Sequence, residues 1–318
     1  MKIKNFVSIA TLFFVVTSCS LAQLTNLPTK PWSATIKVVG ENELPANAVD
    51  IAVAYTKPPY SFSDNPIYHG IISGITDSNG IFSATHDDRS GSLGFSVNKQ
   101  GYYTTRSACR LSDPEESAND RNISITLLLK KIGQPTAMYA KLVNLGVPDF
   151  DKPLGFDLMI GDWVAPNGTG INTDIIFTGH LDKRAKNDSD YKLIVSFPNA
   201  GDGIQEFVVQ ESAKGSELRS PHETPLNGYQ PEWTQTKTRR PGKPLQTNWN
   251  MSRNYFFRVR TKLDDKGNVV SAHYGKIYGD FMNFTYYLNP TPNSRNIEFD
   301  PKQNLIKSLK SDEGVQAP

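Results

Sequence analysis

The chain has 318 residues, and 34 Lys and Arg stand against 32 Asp and Glu, for a formal net charge of +2. So even a balance gives no field for gathering nucleic acid or an acidic membrane surface. The 23 Gly and 21 Pro, with Phe and Tyr outnumbering Trp and Met, fit many short strands joined by turns better than a helical bundle. The length allows two ordinary domains.

Lys2 and Lys4 form a basic start, and residues 6–16 an apolar run too short to span a bilayer as a stable helix. Two cleavage sites follow. Ser20-Leu21-Ala22 before Gln23 fits the small-x-small rule. Val16-Thr17-Ser18-Cys19 resembles a bacterial lipobox, which would make Cys19 the lipidated first residue. Both readings predict export: a signal over 1–22, a tether over 23–33, and a chain that is lipid-anchored in the cell envelope or secreted. The second cysteine, Cys109, lies in the polar stretch 106–119, which reads as a loop. With the signal gone it has no disulfide partner, and no histidine stands beside it to activate it as a nucleophile.

Strands are predicted over 34–39, 50–55, 68–76, 81–84, 93–97 and 123–129. Asp77-Ser78-Asn79-Gly80 is a tight turn between two of them: Asp opens it and Gly or Asn takes the positive dihedral. That many short strands in about a hundred residues point to a β-sandwich. The run GIISGITDSNGIFSAT, then LGFSVNKQGYYTT, then NISITLLLKK resembles the transthyretin-like domain, also called the carboxypeptidase regulatory-like domain. Thr76-Asp77, Gly80, Phe82, Gly101 and Tyr102 carry the resemblance, which covers residues 34–131. It implies a β-sandwich that serves as a non-catalytic accessory or adhesive module. The long polar insertion between Tyr103 and Ile123 departs from the family pattern and leaves the register of the last strand open.

Residues 132–135 end this unit. Further strands are predicted over 136–143, 171–178, 191–197 and 204–210. Residues 217–249 hold five prolines and the basic run Lys237, Arg239, Arg240 and Lys243; they read as a long loop over the sheet. Residues 254–288 read as three consecutive strands. Asp264 and Gly267 predict a three-residue loop that sets the first hairpin's register. It pairs Leu263 with Val269, Thr261 with Ser271, Val259 with His273, Phe257 with Gly275 and Tyr255 with Ile277. One face is then apolar; the other carries Phe256, Arg258, Arg260 and Lys262 opposite Lys276, Tyr274, Ala272 and Val270 and reads as solvent-facing. Residues 297–299 pair briefly and 310–318 read as a disordered tail. This second unit, 136–309, resembles a block of exported bacterial proteins that implies no activity. The expected fold is all-β: two β-sandwich domains in tandem, the first transthyretin-like or Ig-like, the second larger and jelly-roll-like.

The chemistry-bearing residues form no catalytic pattern. His69, His86, His180, His222 and His273 show no His-Glu-x-x-His and no metal spacing. His86-Asp87-Asp88 reads as a solvated loop before it reads as a calcium site. A nucleophile elbow and a P-loop are both lacking. No cofactor is expected, and an enzyme is the less favoured class. The binding candidate is the basic-aromatic face: Arg258 and Arg260 near Tyr274 and Tyr278, with Trp233 and Trp249 bordering the long loop. Sugar rings stack on such aromatics and arginines take carboxylates, so the partner would be a polysaccharide or an envelope protein. A polysaccharide-processing enzyme or its carbohydrate-binding accessory is the alternative. The competing reading of the face is that the loop itself covers it, making these residues internal contacts.

Overall fold

Trp32–Gly40 (β1) turns Trp32, Ala34, Ile36 and Val38 to one side, all buried. It pairs antiparallel with Ile81–His86 (β4) and parallel with Asn122–Leu129 (β7), where Ser33 faces Asn122 and Gly40 faces Leu129. Asp50–Tyr55 (β2), Gly70–Ile75 (β3), Ser92–Asn98 (β5) and Thr105–Arg110 (β6) make a second sheet in the order β3-β2-β5-β6. The sheets close on Ile36, Val38, Ile51, Val53, Phe95 and Leu129. This computed structural model describes residues 31–56, 70–87, 90–111, 121–250 and 253–318. The expected signal with Cys19, most of the tether, His69 and Asp88 lie outside them.

The predicted turn is held as its residues require. Asp77 Oδ1 accepts the amides of Asn79 at 2.9 Å and Ile81 at 2.8 Å, and Gly80 takes φ +71°. The stretch around Cys109 is corrected: it is strand β6, not a loop, because Leu93 and Cys109 stand opposite in register and the thiol packs against the first core. Burial pushes the Cys109 thiol above its usual value, against a backbone hydrogen bond at Leu93.

The second sandwich begins with Thr136–Asn144 (β8), Pro153–Asp157 (β9), Asp162–Trp163 (β10), Ile175–Ala185 (β11), Asp188–Ser196 (β12) and Gly203–Val208 (β13). It continues with Glu232–Arg239 (β14), Gln246–Thr247 (β15), Arg253–Leu263 (β16), Val269–Asp280 (β17), Asn283–Leu288 (β18) and Phe299–Asn304 (β19). One six-stranded sheet runs β10-β9-β11-β12-β14-β15 and the other β13-β16-β17-β18-β8-β19. Between them lie Phe156, Phe177, Val195, Phe257, Ile277 and Tyr286. With the first unit this makes two β-sandwich domains.

Two further expectations change. The proline-bearing loop 217–249 contains β14 and β15, where Thr234, Thr236 and Thr238 supply β-branched residues and Gln235 is buried, its Oε1 accepting the Phe281 amide at 3.1 Å. The tail is docked rather than disordered: Leu142 donates to the Glu313 carbonyl at 3.0 Å, Tyr287 donates to the Ala317 carbonyl at 3.1 Å, and Val315 is buried beside Met138 and Phe299.

The β16–β17 register matches the predicted pairs at Tyr255, Phe257, Val259 and Leu263. Thr261 does not face Ser271; Lys262 does, because Arg260 and Thr261 form a bulge opposite Ala272. Arg260 sits at φ +55° there. The bulge frees two amides from the ladder, and Asp202 accepts both: Arg260 N at 3.2 Å and Thr261 N at 2.8 Å. A second irregularity before Leu263 restores the predicted pairing.

A Cβ at Gly80 would stand 2.5 Å from the Val38 carbonyl oxygen, whereas one at Gly101, also at positive φ, meets nothing within 4 Å. Gly80→Ala should therefore cost about 1–3 kcal/mol, and Gly101→Ala clearly less, as read from urea unfolding midpoints. Equal losses would refute the steric account of this turn.

Candidate functional site

The basic-aromatic face exists in register but is not open. Phe256, Arg258, Tyr274, Lys276 and Tyr278 lie on the outer side of β16 and β17 and are 5%, 9%, 2%, 0% and 4% exposed. Phe207 stacks on Phe256 at 4.2 Å. Arg258 donates to the carbonyls of Gly201 at 2.6 Å and Leu226 at 3.3 Å, and its guanidinium lies over Tyr229 rather than Tyr274. Trp233 and Trp249 pack on the other side of this sheet; Trp233 meets Tyr255 at 5.0 Å and Phe281 at 5.2 Å. Of the expected site residues, then, Arg258, Tyr274 and Tyr278 come together under cover, while Trp233, Trp249 and Arg260 do not join them.

What covers the face is the segment after β13, and behind it the first sandwich. Ser220 pins this junction. Its carbonyl accepts Lys130 Nζ at 2.7 Å, its Oγ accepts Lys276 Nζ at 3.2 Å, and its amide donates to the Tyr278 hydroxyl at 3.0 Å. Glu298 accepts the Tyr103 hydroxyl at 3.0 Å and the amides of Gly133 and Gln134 at 3.0 and 2.6 Å. His222 places Nδ1 2.9 Å from Glu298 and Nε2 3.0 Å from Glu41. Burial pushes the Glu298 carboxyl up, but the two amides, His222 and Tyr103 outweigh it and hold the group below its usual range. Burial, reinforced by Arg219 and Lys130, holds the Lys276 amine well below the ordinary lysine value. Val39 and Leu128 meet Val209 and Ala213 in an apolar contact alongside.

The open concavity is at the mouth of the second sandwich, where the β9–β10 edge and the β8 edge diverge. The bulge carries Arg260 to the inner side of its sheet. There Nε donates to Asp174 at 2.6 Å, and Nη2 reaches Asp174 at 2.9 Å and Asp157 at 3.2 Å. Asp157 also accepts the amides of Met159, Ile160, Ile171 and Asn172, and Asp174 that of Leu158. This clamp joins the two sheets. Burial pushes the Asp174 carboxyl up against the pull of the guanidinium, and the hydrogen bond to Asp174 in turn raises Arg260, which stays charged.

In front of the clamp opens a cleft of about 920 Å³. Tyr139, Lys141 and Val143 of β8 form one wall, the turn through Gly161 to Trp163 another, and residues 305–313 the rim. Asp162 accepts the Trp163 amide at 2.8 Å and both the amide and hydroxyl of Thr169, at 2.8 and 2.9 Å. Burial raises the Asp162 carboxyl, and these bonds with the Lys141 charge overcome it, leaving it below the usual carboxylate range. Glu313 accepts the Lys310 amide at 3.0 Å and pairs with Lys141 at 3.1 Å. A carboxylate that acts as general acid or base needs an oxygen free to face its substrate. Both oxygens of Asp157, Asp162 and Glu313 are engaged by the chain itself. Among the described residues no group of three or more His, Cys, Asp and Glu could hold a metal ion.

No family model and no curated relative matches this chain. Solved structures that superpose in part include a 3-chlorocatechol 1,2-dioxygenase from Rhodococcus opacus 1CP, at TM-score 0.27 and 15% identity over 40% of this chain and 73% of that one. The shaft pilin SpaA of Lactobacillus rhamnosus GG gives 0.23 and 16% over 54% and 89%. The major pilin subunit BcpA of Bacillus cereus gives 0.22 and 11% over 85% and 100%. At these TM-scores nothing is carried over from any of them.

Sequence reasoning did not find the cleft. Its walls come from residues 139 to 313, and no local spacing marks such a set. The one usable trace was Gly161-Asp162-Trp163, a turn that ends in an aromatic.

Arg260→Met would leave two buried carboxylates unpaired and should cost about 3–5 kcal/mol in urea unfolding; a loss under 1 kcal/mol would show that the clamp is dispensable. Burial lowers the Lys276 amine in the fold relative to the unfolded chain, so between its lowered folded value and the usual lysine value unfolding takes up a proton and stability rises with pH. Wild-type stability should climb by up to about 1.4 kcal/mol per pH unit as pH rises toward the usual lysine value. Lys276→Met should lose that slope. Parallel curves for the two proteins would refute the lowered amine.

Proposed function

We propose that this chain is a non-catalytic, exported protein of the cell envelope that holds a ligand in the mouth of its second sandwich. Export rests on the basic start, the short apolar run and the paired cleavage signals, with Cys19 as the lipid anchor if the lipobox is used. The first sandwich is taken as transthyretin-like on the Thr76-Asp77…Gly80…Phe82 turn, and the second as jelly-roll-like. The observation that carries the reading is the cleft itself: about 920 Å³, walled by Tyr139 and Trp163, with every carboxylate that lines it already engaged. Such a cavity is of a size to enclose a small ligand or a short stretch of a polymer, and each oxygen of its carboxylates is already held by the chain. The partner class is a polysaccharide; an envelope protein is the other candidate.

A glycan array probed with the wild type and with Tyr139→Ala tests this. Binding by the wild type, loss in the variant while its circular dichroism remains that of the folded protein, and glycans recovered intact are the expected results. Equal binding by both proteins, or cleaved glycans, would overturn the proposal. The mass of the mature N-terminus is expected to match either a lipidated Cys19 or an unmodified Gln23. A mature protein still beginning at Met1 would rule out processing.

A further inference from the structure

Resting on the reading that the cleft binds a ligand, we infer that its ligand is an acidic oligosaccharide, a short chain of sugar rings bearing carboxylates. The argument turns on which hydrogen-bonding groups in the cleft are already engaged. The acceptors are. Asp157, Asp162 and Glu313 each have both oxygens occupied by amides, hydroxyls or cations of the chain.

The donors are not. Arg260 Nη1 meets only the Met159 thioether, at 2.9 Å. Among the described residues Lys307 has no partner, and Lys310 Nζ has only Glu313, 3.9 Å away. The Tyr139 hydroxyl and the Trp163 indole N–H have no acceptor among the described residues, although both side chains line the cleft. Four cations and three carboxylates line the cleft, and Asp174 behind Arg260 evens the count. The selectivity therefore comes from unengaged donors rather than from net charge. A ligand that fills such a site must be rich in acceptors, and carboxylates are the strongest partners for arginine and lysine.

The walls distinguish a sugar from an acidic peptide. Tyr139 and Trp163 are half-buried rings with their polar ends unpaired, the amphipathic form that suits a ring with apolar faces and polar edges. An extended peptide would need a free strand edge to pair with, and both edges beside the cleft are occupied. Leu142 N and the Met138 carbonyl of β8 pair with Glu313 and Leu305, at 3.0 and 2.9 Å. Beyond β10, Val164 and Ala165 pair with Gly155 and Gly170.

The test titrates the whole mature protein with hexagalacturonate, cellohexaose and poly-glutamate, following the indole N–H resonance of Trp163 and the heat of binding. Hexagalacturonate should bind, weaken with salt, and shift the Trp163 resonance, while cellohexaose and poly-glutamate should not. Lys307→Gln/Lys310→Gln changes two exposed side chains outside the folding core and should weaken the uronate roughly threefold to tenfold. Cellohexaose binding as tightly, with the Trp163 shift, would overturn the acidic ligand and leave the cleft as a binding site. Poly-glutamate binding as tightly as the uronate would overturn the sugar. An unmoved Trp163 resonance with all three probes would overturn the inference, and the glycan array then decides the cleft reading separately. Unchanged uronate affinity in the double variant would also overturn it.

Discussion

A buried carboxylate has to be satisfied from somewhere, and Glu298 is satisfied from both sandwiches at once. Its oxygens take a tyrosine hydroxyl from the first unit, two amides from the connecting residues and an imidazole from the covering segment. Removing any partner leaves a desolvated charge short of a bond, which costs more than the bond itself contributes. Ser220 does the same for two buried lysines, one from each unit. The relative placement of the two sandwiches is thus written in polar groups that cannot be left unpaired, with only a small apolar contact beside them.

This junction decides which surfaces remain for binding. It occupies the outer face of β16 and β17 and turns what looks in sequence like a wet, basic-aromatic surface into a second interior. The face toward the other sheet is filled by the main core. The cleft lies at the end of the sandwich where the sheets part, and there the Arg260 clamp keeps the two edges at a fixed separation. Junction and clamp are both built on buried charge. They differ in consequence, since one closes a surface and the other props a cavity open.

The sequence spoke clearly wherever structure was local. The Asp77–Gly80 and Asp264–Gly267 turns, the alternation of β2 and β16, and most of the β16–β17 register could be read from a few neighbouring residues. It failed where a single inserted residue changed the outcome. Alternation places Arg260 beside Arg258; a bulge held by Asp202, 58 residues earlier in the chain, sends it through to the other side. It failed again at β6 and β14, whose inward positions are filled by Cys109 and Gln235 rather than by strong apolar residues. The cleft was illegible for a third reason. Its parts are ordinary residues that acquire meaning only when β8, β10 and the C-terminal segment meet.

The parallel pairing of β1 with β7 has a mechanical side. The chain enters the first sandwich at the start of β1 and leaves it at the end of β7, and these strands are hydrogen-bonded neighbours running the same way from Ser33–Asn122 to Gly40–Leu129. Tension between the residues before Trp32 and the second sandwich, once the junction parts, pulls these two strands past each other along their length. The ladder is then loaded in shear, with all its bonds sharing the force, instead of being peeled open one bond at a time. That is the direction in which the first sandwich resists most.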